Sequence, residues 1–470
     1  MRGRALQSND NHPTKRLEAF LVGFVYLNVY FVTYQISVSS RHIALAFDIP
    51  VHNIGIYFDK LISQRCLLLG LGSLLEYSIY LISSSDDKVR KYFSIISLTL
   101  LVIIRFVFAI FLHTSKKLSL HAYFILNAEG LFHGCIQMSI LAIAPQHTSV
   151  TDLSARISGL FMFIIQRITD CIAYHKPLFN VKAVTWICTL SSTSAVFVWY
   201  YYLFHIDDST TEQKTVRETI EIDQTGGSST KETTISETNL KLWDHFRKAS
   251  SQFMLFGTSS LFKDFLYPGV LPYALLERDK SHLINLIVTL VLVSGSFVIY
   301  FIHEYILSFR YWSEVHNVCW LLIIPNLISL ILSLMAIHTR KPLTLEIKNS
   351  QSRVMILTLC VIGSYSIMCP MGFVGVADYV YYKSKDKKGS VGLITYHNIM
   401  SLVYRFMFSK LSIGYNVTRV SLGYHLPKFR PNHRMSKHNL AWYFIRNTFG
   451  RAVKDTISDL RMDIEKLFVI

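Results

Sequence analysis

The chain has 470 residues, of which 51% are hydrophobic, and a formal net charge of +16. Its repeated apolar runs of about 20 residues match a bilayer core of roughly 30 Å and exclude a soluble globular domain. The surplus positive charge lies mainly in loops and the C-terminal tail, where it suits lipid headgroups, and no separate basic domain stands ready for nucleic acid.

In chain order, residues 1–16 are polar and basic and read as a cytoplasmic N-terminus without a cleavable signal. Six apolar runs follow within 17–205, at about Leu17–Ser37, Leu61–Ser83, Tyr92–His113, Leu120–Pro145, Ser154–Tyr174 and Val181–Phe204. Residues 206–250, rich in Thr, Ser, Glu and Lys around Gly226-Gly227, have the low hydrophobicity and mixed charge of a flexible linker. Five more runs occupy 251–415, at about Gln252–Leu276, His282–Phe301, Val315–Ile337, Val354–Tyr382 and Gly392–Tyr415. The fold class is therefore an all-α polytopic membrane protein with about 11 spans in a 6 + 5 arrangement.

With a cytoplasmic N-terminus, Lys88, Arg90, Lys91, the linker and Lys383, Lys385, Lys387 and Lys388 follow the positive-inside rule. The basic tail, 416–470, does not: after an odd number of spans it falls on the other side. Either one span is uncounted or a charged tail is exported. Within that tail Phe449, Val453, Ile457, Leu460, Ile464 and Leu467 recur at helical spacing among charged residues. That pattern predicts an amphipathic helix too polar to span, lying on the membrane surface or packed under the bundle. All seven cysteines fall inside apolar runs and read as small core residues. Asn416-Val417-Thr418 is a glycosylation sequon set close to the last span.

Ionisable residues inside the runs mark the candidate site, since each costs roughly 2.5–3.5 kcal/mol at a helix centre on insertion scales. Glu129, His133 and Gln137 recur at i, i+4, i+8 and share one helix face; they suit binding of a polar solute, a proton relay, or helix–helix hydrogen bonds. Gly130 and Gly134, on the neighbouring face, allow another backbone to approach. Arg167 and Asp170, at i, i+3, are expected to pair, as a structural or a substrate-binding unit. Lys263 and Asp264 precede Pro268, Gly269 and Pro272, where the helix should break and expose backbone groups to a solute. Arg105 and Arg405 each need a partner that the sequence does not assign.

The chemistry of hydrolases and pumps is missing. No Gly-x-Ser-x-Gly, Walker A or His-Glu-x-x-His pattern occurs, and Glu129 with His133 supplies only two metal ligands, so neither metal nor cofactor is expected. A membrane-bound transferase using Glu129 and His133 as acid and base would place them near an interface, whereas they fall mid-span. A non-transporting scaffold is the remaining alternative. The best reading of the residues alone is a carrier of a small polar solute, with Glu129, His133, Gln137, Arg167, Asp170, Lys263 and Asp264 lining its cavity.

Two stretches carry a family resemblance. Gly134-Cys-Ile-Gln137-Met-Ser-Ile-Leu-Ala142-Ile-Ala-Pro145, followed by Ser158-Gly159, resembles the fourth and fifth spans of equilibrative nucleoside transporters. Phe265-Leu-Tyr267-Pro268-Gly269-Val270 resembles their seventh span, and Gly23 with Asn28 is a looser match in the first. The layout agrees along almost the whole chain; the specific matches cover about 40 residues. Three departures stand out. Leu292–Tyr305 lacks the family's Asp-x-x-Gly-Arg, Phe161 stands where a Gly is usual, and Met371-Gly372-Phe373 replaces Asn-Gly-Tyr. The resemblance implies a major-facilitator-like bundle of two halves, alternating access, and nucleosides or nucleobases as substrates. Its only other implied partner is the lipid bilayer.

Overall fold

The computed structural model describes residues 12–460 apart from 84–86, 145–146, 208–242, 307–311, 340, 349, 381–386 and 425–434. Most of the linker, Pro145, Lys383, Lys385, Ile464 and Leu467 lie outside the described residues. Among the described residues the elements are helical throughout. The N-terminal half comprises α1 (His12–Val29), α2 (Phe31–Val38), α3 (Ser40–Ala46), α4 (Ile54–Ile82), α5 (Asp87–Thr114), α6 (Leu118–Ile143), α7 (Thr148–Ala173) and α8 (Pro177–Tyr201). The C-terminal half comprises α9 (Ser250–Leu266), α10 (Arg278–Tyr305), α11 (Ile323–His338), the short α12 (Pro342–Ile347), α13 (Gln351–Asp378), α14 (Lys387–Ser421) and α15 (Lys437–Leu460).

Seven described helices are long and apolar enough to cross a membrane, or eight with the bent pair α1–α2 as one span. The bend, 44°, falls at Tyr30. It releases carbonyls at the end of α1, and Arg105 of α5 takes them up: its Nη1 donates to Asn28 O and its Nη2 to Val29 O, both at 2.7 Å. Long apolar side chains such as Ile82, Phe197 and Ile172 point outward, as a lipid-facing surface requires.

Small residues set the closest packing. A Cβ on Gly72 of α4 would lie 2.0 Å from Leu131 O, and one on Gly134 of α6 would lie 2.0 Å from Leu69 O. The α4 and α6 backbones therefore touch at reciprocal glycines, the close approach that lets van der Waals contact hold helices in lipid. The two halves meet along α7 with α10 and α4 with α14.

After Leu266 the chain leaves the helix and turns until α10 begins. Pro268 and Pro272 supply no N–H there. The space at Gly269 is occupied by protein: a Cβ would lie 2.0 Å from Asp59 Oδ2 and 2.8 Å from Ser412 Oγ. Pro370, by contrast, sits inside the continuous α13.

The tail helix α15 runs antiparallel along the C-terminal part of α14, with Phe444 beside Tyr424 and Asp455 hydrogen-bonded to Lys410 at 2.7 Å. Its orientation differs from that of a helix lying flat on the surface. Phe449, Val453 and Ile457 face outward, while Phe444, Thr448, Ala452 and Asp459 are buried against the bundle. The polar side turns inward because Lys60 of α4 and Lys410 of α14 share Asp455 and Asp459 there. Asn416 is 1% exposed, so its sequon is closed to a glycan.

Candidate functional site: a cavity between the halves

Charged helix faces in lipid are tolerated only where they meet partners or water. Each ionisable residue is therefore best read by what it faces.

Glu129 faces two arginines. Its Oε2 accepts from Arg65 Nη2, and its Oε1 accepts from Arg105 Nη2 at 2.6 Å and Nε at 3.1 Å. Arg105 also donates to Ser192 Oγ at 2.6 Å. His133 lies 3.1 Å from Arg65 Nη2 through Nδ1 and packs its ring edge-on to Tyr30. All four side chains are buried. The expected solute-binding face therefore divides: Glu129 and His133 tie α4, α5, α6 and α1 together and do not line the cavity. Only Gln137, one turn further along, reaches it.

The expected Arg167–Asp170 pair does not form. Arg167 is exposed, whereas Asp170 points inward. Its Oδ1 accepts from Gln166 Nε2 at 2.7 Å and Asn180 Nδ2 at 3.2 Å and meets His42 Nε2 at 2.8 Å; its Oδ2 meets His282 Nε2 at 3.0 Å. Spacing of i, i+3 permits contact, but here burial of the carboxylate gave it partners from three other helices. His42 and Asp170 belong to the N-terminal half and His282 to the C-terminal half, so this cluster closes across the interface. Close by, Arg41 Nε donates to Asp279 Oδ1 at 2.8 Å, Tyr267 hydroxyl lies 3.0 Å from Ser37 Oγ, and Asn285 Nδ2 donates to Ser40 Oγ at 3.0 Å. The cluster of one carboxylate and two imidazoles also has a metal-like composition, with its ligand atoms all within 4.8 Å. The carboxylate meets both rings directly at hydrogen-bonding distance, 2.8 and 3.0 Å.

Deeper in the bundle a cavity opens between the two halves. The N-terminal half supplies Tyr26, Tyr30, Tyr34, Gln137, Asp152 and Arg156; the C-terminal half supplies Phe256, Lys263, Tyr267, Tyr365 and Arg405. Gln137 Nε2 donates to Asn398 Oδ1 of α14 at 3.1 Å, and its own Oε1 has no protein partner among the described residues. Lys263 Nζ donates to Asp264 Oδ1 at 2.6 Å, with Arg405 Nε 4.0 Å from the same oxygen. Asp264 stands behind the wall, 1% exposed, so of that pair only Lys263 faces the space. The residues expected at the helix break, Pro268, Gly269 and Pro272, do not line the cavity, but their neighbour Tyr267 does.

Asp152, Arg156 and the tyrosines of α1 and α2 were not among the expected site residues. Arg156 was visible as a cation inside an apolar run, the signal that also marked Arg167. Which of the two faces inward depends on the rotation of α7 in the bundle. The partner of Arg105 proves to be Glu129, at 2.6 Å, whereas the carboxylate oxygen nearest Arg405, on Asp264, is 4.0 Å away.

No protein-family model matches the chain, and no curated protein matches its sequence. Solved structures do match its fold. The crystal structure of a D-xylose–proton symporter superposes over 94% of this chain and 96% of that one, with a TM-score of 0.51 at 10% identity. The major facilitator superfamily proton:xylose symporter XylE, bound to 6-bromo-6-deoxy-D-glucose, covers 94% and 95%, with a TM-score of 0.56 at 11% identity. At such identities the likeness is one of fold, and the fold is an all-α, multi-pass integral membrane bundle of the major facilitator type.

Proposed function

We propose that this chain is a membrane transporter working by alternating access, its solute bound in the cavity between the two halves. One observation carries the reading. Both halves line the same cavity, its mainly apolar wall set with a few charged and amide groups, and at one end of it they are joined by hydrogen bonds and ion pairs between side chains. Such contacts can break and re-form as rigid halves rock about a fixed site, which is how transporters built from two bundles expose a site to each side in turn. The likeness to sugar symporters supports the same reading by analogy of fold alone.

The transferase alternative loses its catalytic pair. Glu129 and His133 are held by Arg65 and Arg105 away from the cavity, where no co-substrate reaches them. Nucleosides or nucleobases are the substrates that the local resemblance to equilibrative transporters implies, and tyrosine rings beside the amide of Gln137 suit a heterocycle.

The test is uptake of radiolabelled adenosine, uridine and hypoxanthine by cells lacking their own nucleoside uptake, with and without this protein at the surface. Saturable uptake of any of the three that falls at least tenfold in Gln137→Ala would support the nucleoside assignment and place the solute in this cavity. Surface-exposed protein without uptake of any of the three removes the nucleoside assignment.

A further inference from the structure

Ionisable side chains on a cavity wall report the charge of what the cavity takes, because unbalanced charge in a low-dielectric interior is costly. Three cations, Arg156, Lys263 and Arg405, line this cavity against one carboxylate, Asp152. Two buried carboxylates, Asp264 and Asp59, stand behind the wall beside Lys263, and neither hydrogen-bonds Arg156 or Arg405.

The excess is also loosely held. Arg156 is 3.9 Å from Asp152 and donates one long bond, to Tyr34 hydroxyl at 3.4 Å, and one to a weak acceptor, Cys369 Sγ, at 3.3 Å. Arg405 has no protein hydrogen bond among the described residues, and its nearest carboxylate oxygen is 4.0 Å away. Asp152 divides its charge with Ser296, whose hydroxyl donates to Oδ2 at 2.9 Å. The contrast is Arg105, whose guanidinium is saturated by five short bonds to protein groups. A structural arginine in this protein looks like Arg105; Arg156 and Arg405 do not.

The three cations are adjacent. Arg156 and Lys263 both lie within 5.6 Å of the Tyr365 ring centre, and Lys263 and Arg405 share Asp264. Guanidinium groups bind planar or tetrahedral oxyanions through paired N–H donors, and the wall beside them carries five tyrosines and two phenylalanines among aliphatic and hydroxyl side chains. We propose that the transported solute is an organic anion: a phosphate or carboxylate, met by Arg156, Lys263 and Arg405, on a ring-bearing body that packs against the tyrosines. This rests on the transporter reading and goes beyond it by assigning the charge of the substrate, which a neutral nucleoside lacks.

The experiment compares three pairs that differ chiefly in the anionic group: UMP with uridine, glucose 6-phosphate with glucose, and benzoate with benzyl alcohol. Each is titrated against the purified full chain by thermal shift and then offered to proteoliposomes. The expected result is a saturable shift with at least one charged member and a weaker one with its neutral partner. Arg156→Gln and Arg405→Gln should each weaken the charged member by about tenfold to a hundredfold and leave the neutral one unchanged. Preference for UMP and glucose 6-phosphate assigns a phosphate, and preference for benzoate a carboxylate. The proposal is overturned if each neutral member binds as well as its charged partner, or if no charged member binds. Saturable uptake of a neutral member that its charged partner does not inhibit would remove the anion and keep the transporter. No saturable uptake of any of the six would remove both.

Discussion

Replacing Glu129 by Gln separates a structural role from a substrate-binding one. The carboxylate is 1% exposed and is shared by Arg65 and Arg105, themselves 4% and 2% exposed. At an effective dielectric of 20, each ion pair at about 4 Å is worth roughly 4 kcal/mol of Coulomb energy, offset in the intact protein by the cost of burying the charges. An amide keeps one acceptor but turns an N–H₂ group toward a guanidinium, leaving two buried cations with half a partner. Removing one member of a buried ion pair costs about 3–5 kcal/mol, and Glu129→Gln should fall in that range. Thermal unfolding of the full chain in detergent reads the loss directly, with Gln137→Ala as the contrasting variant. Gln137→Ala should unfold near the wild-type temperature and lose uptake. If Glu129→Gln unfolds at the wild-type temperature yet abolishes uptake, the carboxylate contacts solute and the structural account of this cluster is wrong.

Two further perturbations probe the packing. Gly134→Val places atoms on the Leu69 carbonyl of α4, 2.0 Å from where even a Cβ would sit, and should cost at least about 1–3 kcal/mol. The monodisperse fraction after gel filtration checks it, with Gly450→Ala, which meets nothing within 4 Å, as the silent control. Lys410→Met leaves Asp455 and Asp459 to Lys60 alone and should destabilise the chain by about 3–5 kcal/mol, with Lys410→Arg retaining most of the loss. Unchanged unfolding of Lys410→Met would mean that α15 does not depend on this contact for its place along α14.

Much of the fold is legible in the sequence because span length and hydropathy are local properties, and the bilayer fixes both. The runs at Leu120–Pro145 and Ser154–Tyr174 become α6 and α7 within a few residues, and the Gly130/Gly134 face does meet another backbone. The tail helix is legible as amphipathic, but its polar face turns inward. That outcome depends on Lys60 and Lys410, two cations on distant helices. The site is less legible, because helical spacing tells which residues share a face and not what that face meets. Glu129, His133 and Gln137 do share one, but the arginines opposite the first two lie on α4 and α5. Asp170 illustrates the same limit: its sequence neighbour Arg167 points away, and its partners come from residues 42, 166, 180 and 282. Polar groups in a bundle are matched by three-dimensional neighbours, which no local pattern encodes.

The central claim, that the halves part and rejoin around the cavity, is tested most directly by tying them together. Arg41 and Asp279 face each other across the interface, with Arg41 Nε donating to Asp279 Oδ1 at 2.8 Å, and a cysteine pair at these positions can be bridged by a bis-methanethiosulfonate linker that spans the length of the arginine side chain. In proteoliposomes the account predicts that cross-linked Arg41→Cys/Asp279→Cys protein loses uptake and regains it when the linker's disulfides are reduced, while each single variant keeps transporting. Undiminished uptake by fully cross-linked protein would contradict alternating access through this cavity.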